Sequence, residues 1–140
     1  KDRREMKELV TRVLPMFDGV GGQPRYLLGI ADEESVRHAV SLGVDSMDSC
    51  YPTKLGGCGT LMTRKEGLIR IKRGKQKRCF GVKVDDECGC STCRNYDRAY
   101  LCHLFKANEP LGIFMATLHN IHYMNDLMKT LRQNIMEDRI

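Results

Sequence analysis

The spacing Cys88-x-Cys90-x-x-Cys93 constrains this chain more than any other feature of its sequence. Three soft thiolates crowded together select zinc or an iron–sulfur centre. The other reading, three buried thiols without a ligand, makes their clustering an accident. Zinc takes four ligands in a tetrahedron, so the fold must bring a fourth from farther along the chain. His103, His119, His122, Cys79 and Cys102 are the candidates. His119 stands 26 residues beyond Cys93. It reaches the cysteines if residues 95–106 form a helix that turns the chain back. His119 and His122 lie about 300° apart by helical rotation, so periodicity leaves both open. A site closed by four protein ligands is structural, with no position for a reacting water.

The compartment follows from the rest of the cysteine count. There are seven cysteines, an odd number. The opening Lys1-Asp2-Arg3-Arg4-Glu5 has no apolar segment of the kind that a secretory leader needs. Metal binding in a reducing, cytoplasmic compartment is therefore expected, not a disulfide framework. The absence of an initiator Met and the helical character of the first residues predict a portion of a longer chain. With 41% apolar and 29% charged residues the chain is globular in composition. It has no apolar run long enough to span a bilayer.

The net charge is +5, and its placement matters more than its size. Arg64, Lys65, Arg70, Lys72, Arg73, Lys75, Lys77 and Arg78 crowd one stretch in which Glu66 is the one acid. Such a field attracts phosphates, or else it marks a solvated surface turn.

Period and punctuation give a mixed α/β order. Met6, Leu9, Val10 and Val13 mark a helix over 5–14. Asp18 to Pro24 is a turn by its Gly and Pro content. Tyr26 to Ile30 reads as a buried parallel strand. Asp32 reads as the N-cap of a helix that Gly43 ends, and Val44 to Asp48 as a second strand. Lys54 to Gly59 is expected as a glycine-rich loop. A hairpin follows, with strands over 60–63 and 68–72. Helices are expected over 95–106 and 110–137. The core stripe of the second is expected to include Phe114, Leu118, Ile121, Met128, Leu131 and Ile135. Asp48, at a strand end, is either a turn cap or a reactive carboxylate.

Several of these segments together resemble the tRNA-guanine transglycosylases, or queuine tRNA-ribosyltransferases. The resemblance rests on Pro24-Arg25-Tyr26-Leu27-Leu28-Gly29-Ile30, Gly43-Val44-Asp45-Ser46-Met47-Asp48, Pro52-Thr53 and Gly59-Thr60-Leu61. It extends through Cys88-x-Cys90-x-x-Cys93-Arg94-Asn95-Tyr96-x-Arg98-Ala99-Tyr100-Leu101 and Leu118-His119-Asn120. The resemblance implies the C-terminal portion of a (β/α)8 TIM barrel with an inserted zinc-binding subdomain. Residues 1–53 would carry the last barrel units and the nucleophile strand. Residues 54–140 would carry the anticodon-facing loop, the zinc subdomain and the closing helices. It further implies structural Zn2+ on Cys88, Cys90, Cys93 and His119, and Asp48 as the nucleophile. Leu28 and Gly29 would pack against the base. The implied reaction exchanges the wobble guanine of GUN-anticodon tRNAs for queuine or its 7-deazaguanine precursor.

The family's loop after the nucleophile reads the anticodon with two arginines. Here Lys54 and Gly57 take those places, which keeps one charge but no bidentate fork. Thr53, Lys54, Lys72, Arg73, Lys75 and Lys77 are the expected RNA contacts. The retained Asp48 implies a catalytic subunit; the altered loop keeps a non-catalytic accessory subunit as the alternative. Either would work as a cytoplasmic homodimer or as a heterodimer with a related subunit.

Overall fold

The computed structural model describes residues 3–17 and 22–139. The turn expected at Asp18 to Pro24 lies partly outside them. The chain divides into two compact units, Lys1–Tyr51 with Leu127–Ile140, and Pro52–Asp126.

In the first unit, helix α1 (Arg3–Val13) passes into a 3-10 turn over Leu14–Phe17, where Pro15 prevents its continuation. Strand β1 (Tyr26–Leu28), helix α2 (Glu33–Ser41) and strand β2 (Ser46–Asp48) follow. The strands run parallel, with Tyr26, Leu27 and Leu28 opposite Ser46, Met47 and Asp48. Strand, helix, parallel strand is a βαβ unit. Asp32 caps α2 as expected, its carboxylate accepting from the Ser35 amide at 3.2 Å. Gly43, at φ +82°, turns the chain off the helix end. Val36 and Ala39 of α2 are fully buried. Thr11 Oγ1 meets His38 Nε2 at 3.0 Å, and Lys7 pairs with Glu34, joining α1 to α2.

One expectation fails here. β1 is not a buried strand: Tyr26 and Leu28 are exposed. A parallel sheet hides its apolar residues only when layers cover both faces. Among the described residues this sheet has two strands.

In the second unit, helix α3 (Tyr51–Gly57) leads to an antiparallel hairpin, β3 (Thr60–Thr63) and β4 (Gly67–Arg70). The expected loop over 54–59 is thus mostly helical. Ser49 Oγ accepts the Tyr51 amide at 3.1 Å, and Pro52 occupies the first turn, where a missing N–H costs nothing. Gly56 is there for space: a Cβ would stand 2.7 Å from the Thr117 backbone. At the hairpin turn, Thr63 Oγ1 accepts from the Glu66 amide and donates to the Gly67 carbonyl.

A 3-10 turn over Gly74–Arg78 follows, then the cysteine segment. The single helix expected over 95–106 is two, α4 (Ser91–Asn95) and α5 (Arg98–Lys106). Tyr96 is extended between them. Asp97 restarts the helix as N-cap, accepting from the Tyr100 amide at 2.7 Å and the Gly81 amide at 2.9 Å. Those two bonds hold its carboxyl below the usual aspartate range.

Helix α6 (Pro110–Met136) has the expected length, but its buried stripe differs. Of the expected residues Leu131 is buried and Leu118 and Met128 are half-buried, but Phe114, Ile121 and Ile135 are exposed, and Met115, Ala116, His119, Asn120, Tyr123 and Leu127 are buried instead. The core-facing side near the cysteines carries polar and small residues, so apolar periodicity selects the wrong face. The core of the second unit joins Leu61, Ile69, Ile71, Val84, Leu101, Leu104 and Phe105 to the three cysteines.

Candidate functional site

The cysteine segment is held in place by local backbone demands. Asp85, almost fully buried, accepts from the Glu87 amide with Oδ1 and from the Arg64 amide with Oδ2, each at 3.0 Å. Its carbonyl accepts the Cys88 amide at 3.3 Å. Cys90 is the N-cap of α4, and its sulfur accepts the Cys93 amide at 3.4 Å. Cys93 therefore stands one turn into the helix, its thiol on the same side as that of Cys90. Thr92 Oγ1 donates to the Met115 carbonyl at 3.0 Å and fixes α4 against α6. Arg98 ties down the segment before the cysteines by donating to the carbonyls of Lys83 and Val84, and it pairs with Glu66.

Helix α6 delivers the fourth group. His119 Nδ1 lies 3.6 Å from Cys88 Sγ, 3.6 Å from Cys90 Sγ and 3.3 Å from Cys93 Sγ. All four residues are buried, and their ligand atoms lie within 4.8 Å of one another. Zinc bonds of about 2.3 Å to sulfur and 2.0 Å to nitrogen set tetrahedral ligand atoms roughly 3.5–3.8 Å apart. The group fits such an ion.

The imidazole is also correctly prepared. His119 Nε2 lies 2.7 Å from the Met62 carbonyl, which can only accept, so Nε2 carries the proton. Nδ1 then presents its lone pair to the thiols, the arrangement a metal-binding histidine needs. The thiols are in conflict with one another. Hydrogen bonds from Cys88 and Cys93 pull the Cys90 thiol well down, while its neighbours push Cys93 up. Three such groups ionise together only around a cation.

His122, left open alongside His119 by the sequence, approaches one thiol, Cys88, at 3.6 Å. Asn120 had no assigned part, yet it is fully buried and makes three hydrogen bonds. Its Oδ1 accepts the Met62 amide at 3.0 Å; its Nδ2 donates to the carbonyls of Pro52 and Thr60 at 3.0 and 2.9 Å. His119 and Asn120 thus hold both backbone groups of Met62. The available signal was two adjacent polar residues directly after the mostly apolar run from Leu111 to Leu118.

In the first unit, Leu28 and Asp48 are register partners at the C-terminal ends of β1 and β2. Leu28 is 73% exposed, and Asp48 is exposed beside it. Gly29, at φ +78°, donates its amide to the Asp48 carbonyl at 2.9 Å. The three residues expected to meet the substrate are thus neighbours. Thr53 and Lys54 are exposed on α3, and Lys72, Arg73, Lys75 and Lys77 are exposed after the hairpin. The Lys72 ammonium sits over the Phe105 ring, 5.4 Å from its centroid. Two of the eight clustered cations are engaged elsewhere. Arg64 pairs with Asp85 and Asp126, and Lys65 faces Asp86 and Glu87. The positive field is narrower than the sequence suggests, because acids from distant positions return to it.

Comparison with known proteins agrees with this arrangement. The family model described as queuine tRNA-ribosyltransferase matches residues 1–140. A queuine tRNA-ribosyltransferase of Bacillus pumilus (strain SAFR-032) is 41% identical over 138 residues. One from Anoxybacillus flavithermus (strain DSM 21510 / WK1) is also 41% identical, and one from Bacillus velezensis (strain DSM 23117 / BGSC 10A6 / LMG 26770 / FZB42) is 40% identical. Each match covers 97% of this chain and 36% of the relative, so the chain spans about a third of their length. With the family model matched from first residue to last, the chain belongs to the queuine tRNA-ribosyltransferase family.

Proposed function

We propose that this chain is the C-terminal part of a tRNA-guanine transglycosylase, with Asp48 as its nucleophile. The observation that carries the proposal is the register pair Leu28 and Asp48, side by side at the C-terminal ends of parallel strands. In (β/α)8 barrels, the fold we propose for the whole protein, reacting groups stand at that end.

The chemistry suits a carboxylate. Cleavage of a glycosidic bond passes through a transition state with positive charge on the sugar, which a negative oxygen stabilises before bonding. Asp48 would bond C1′ of the wobble ribose as the bond from C1′ to guanine breaks, and guanine leaves with a proton from a general acid. The incoming 7-deazaguanine, queuine or its precursor, loses a proton and displaces the carboxylate from the same carbon. Two inversions leave the sugar configuration unchanged. The base must leave its stack to reach the strand ends. Leu28 supplies an apolar face there, and Gly29 has no side chain to obstruct a flat ring.

Cys88, Cys90, Cys93 and His119 would hold Zn2+, which supplies cross-linking and no reaction chemistry, since four protein ligands leave no open position. Thr53, Lys54, Lys72, Arg73, Lys75 and Lys77 would contact the phosphates of a GUN-anticodon tRNA. We place the enzyme in the cytoplasm as a homodimer, or as a heterodimer with a related subunit. Among the described residues no helix is long and apolar enough to cross a membrane.

The test uses the full-length protein, tRNA and a guanine analogue that arrests exchange. The parent should yield a covalent tRNA adduct on a denaturing gel, and Asp48→Asn should yield none. An adduct that survives the substitution refutes the assignment of Asp48. A parent that binds tRNA but forms no adduct points to the accessory-subunit reading, which the Gly57 substitution favours.

A further inference from the structure

Cys88 differs from the other two cysteines in having a second histidine against it. His122 Nδ1 lies 3.6 Å from Cys88 Sγ and 3.4 Å from Asp126 Oδ2. The same Asp126 oxygen accepts from Arg64 at 3.0 Å. Arg64 in turn donates to Asp85 Oδ2 at 3.1 Å, and the Asp85 carbonyl accepts the Cys88 amide. These contacts close a ring, from the Cys88 sulfur through the side chains of His122, Asp126, Arg64 and Asp85 and back to the Cys88 backbone. Every member lies within Pro52–Asp126.

We infer that His122 is a positioning residue for the metal centre, donating from Nδ1 to the Cys88 sulfur. The proton's place follows from the neighbours. A metal-bound thiolate and a carboxylate both accept, so the nitrogen between them carries hydrogen. The neutral imidazole is sufficient. His122 is not an interchangeable ligand, because it meets one sulfur whereas His119 meets three.

Two consequences follow. An N–H donor draws electron density from Cys88, offsetting the net negative charge that three thiolates and one imidazole place around a divalent ion. It also occupies the outer lone pair of that sulfur, the pair an oxidant or alkylating reagent would attack. Asp126 and Arg64 keep the ring from rotating away. Arg64 is further held over the Tyr123 ring, 5.4 Å from its centroid.

This inference rests on the metal reading above, and the experiment separates the two. Zinc content is measured first on the full-length parent. A parent without zinc refutes the metal reading itself. With zinc present, the apparent affinity is read by competition with a chromogenic chelator, and the order of cysteine alkylation by mass spectrometry. His122→Phe keeps the ring volume but not the donor. It should weaken apparent zinc affinity about 10- to 100-fold and make Cys88 the first ligand alkylated. His122→Asn places an amide N–H near the Nδ1 position and should restore both readouts most of the way. If the Phe variant does not fold, the Asn variant and Asp126→Asn decide alone. The first should match the parent, and the second should advance Cys88 in the labelling order. Affinity and labelling order unchanged in His122→Phe overturn the inference. So does an Asn variant that loses zinc or labels Cys88 first.

Discussion

Two consecutive side chains of α6 do different work with one strand residue. His119 takes the Met62 carbonyl, and Asn120 takes the Met62 amide and two further carbonyls. Removing the amide leaves those groups buried without partners, at about 1–3 kcal/mol for each that water cannot reach. Asn120→Ala should therefore destabilise the protein by about 2–5 kcal/mol, read from the urea midpoint at constant slope. A loss below about 1 kcal/mol would mean that water replaces the amide. The sequence announces the cysteines and narrows the fourth ligand to a few residues. It does not announce Asn120, because a buried polar residue reads like a surface one until its partners are known. Those partners, Pro52, Thr60 and Met62, lie about 60 positions earlier. The ion pairs that remove Arg64 and Lys65 from the basic stretch were hidden for the same reason.

Elements announced by local chemistry were legible, and those set by distant contact were not. Asp32 caps α2 and Gly43 ends it because both effects act within a turn. The hairpin strands fell within two residues of their expected ends. Segment 54–59 failed because glycine signals two different things. As a backbone hinge it argues against helix; as the smallest residue it permits close approach. Gly56 serves the second purpose, inside α3 and against Thr117. Gly56→Ala improves helix propensity by up to about 1 kcal/mol, yet it drives a methyl group into a backbone that cannot yield. The net change should be a loss of about 1–3 kcal/mol, checked by thermal unfolding at matched zinc loading. A rise in Tm would refute the close approach. The misplaced stripe of α6 has a related cause. Its inner face near the cysteines is built around the buried polar pair His119 and Asn120, so hydrophobicity does not mark it.

For the chain as a whole, the second unit carries the three thiols of its Cys3His group within its core, not at the margin. Cys88, Cys90 and Cys93 belong to the same buried cluster as Leu61, Ile71 and Leu101. Binding of an ion by this group would make coordination and burial one event, since its four residues come from the segment after Asp85, from α4 and from α6. Chelation at neutral pH should strip amide-exchange protection from β3, β4, α4 and α5 together, and resupplied zinc should restore it. Protection that survives complete zinc removal would show that the apolar contacts suffice alone. The barrel expectation rests on resemblance alone. Two parallel strands of three residues each say βαβ and no more, since strand number and closure belong to the whole sheet.

The clasp on Met62 also shapes what the protein avoids. A two-stranded ribbon has two margins, each able to recruit a strand from another chain. On the β3 margin, the outward amide and carbonyls of Thr60 and Met62 are already occupied by α6. A stray polypeptide finds those three groups already taken, so the same contact that orients His119 also hinders one route to fibrous assembly.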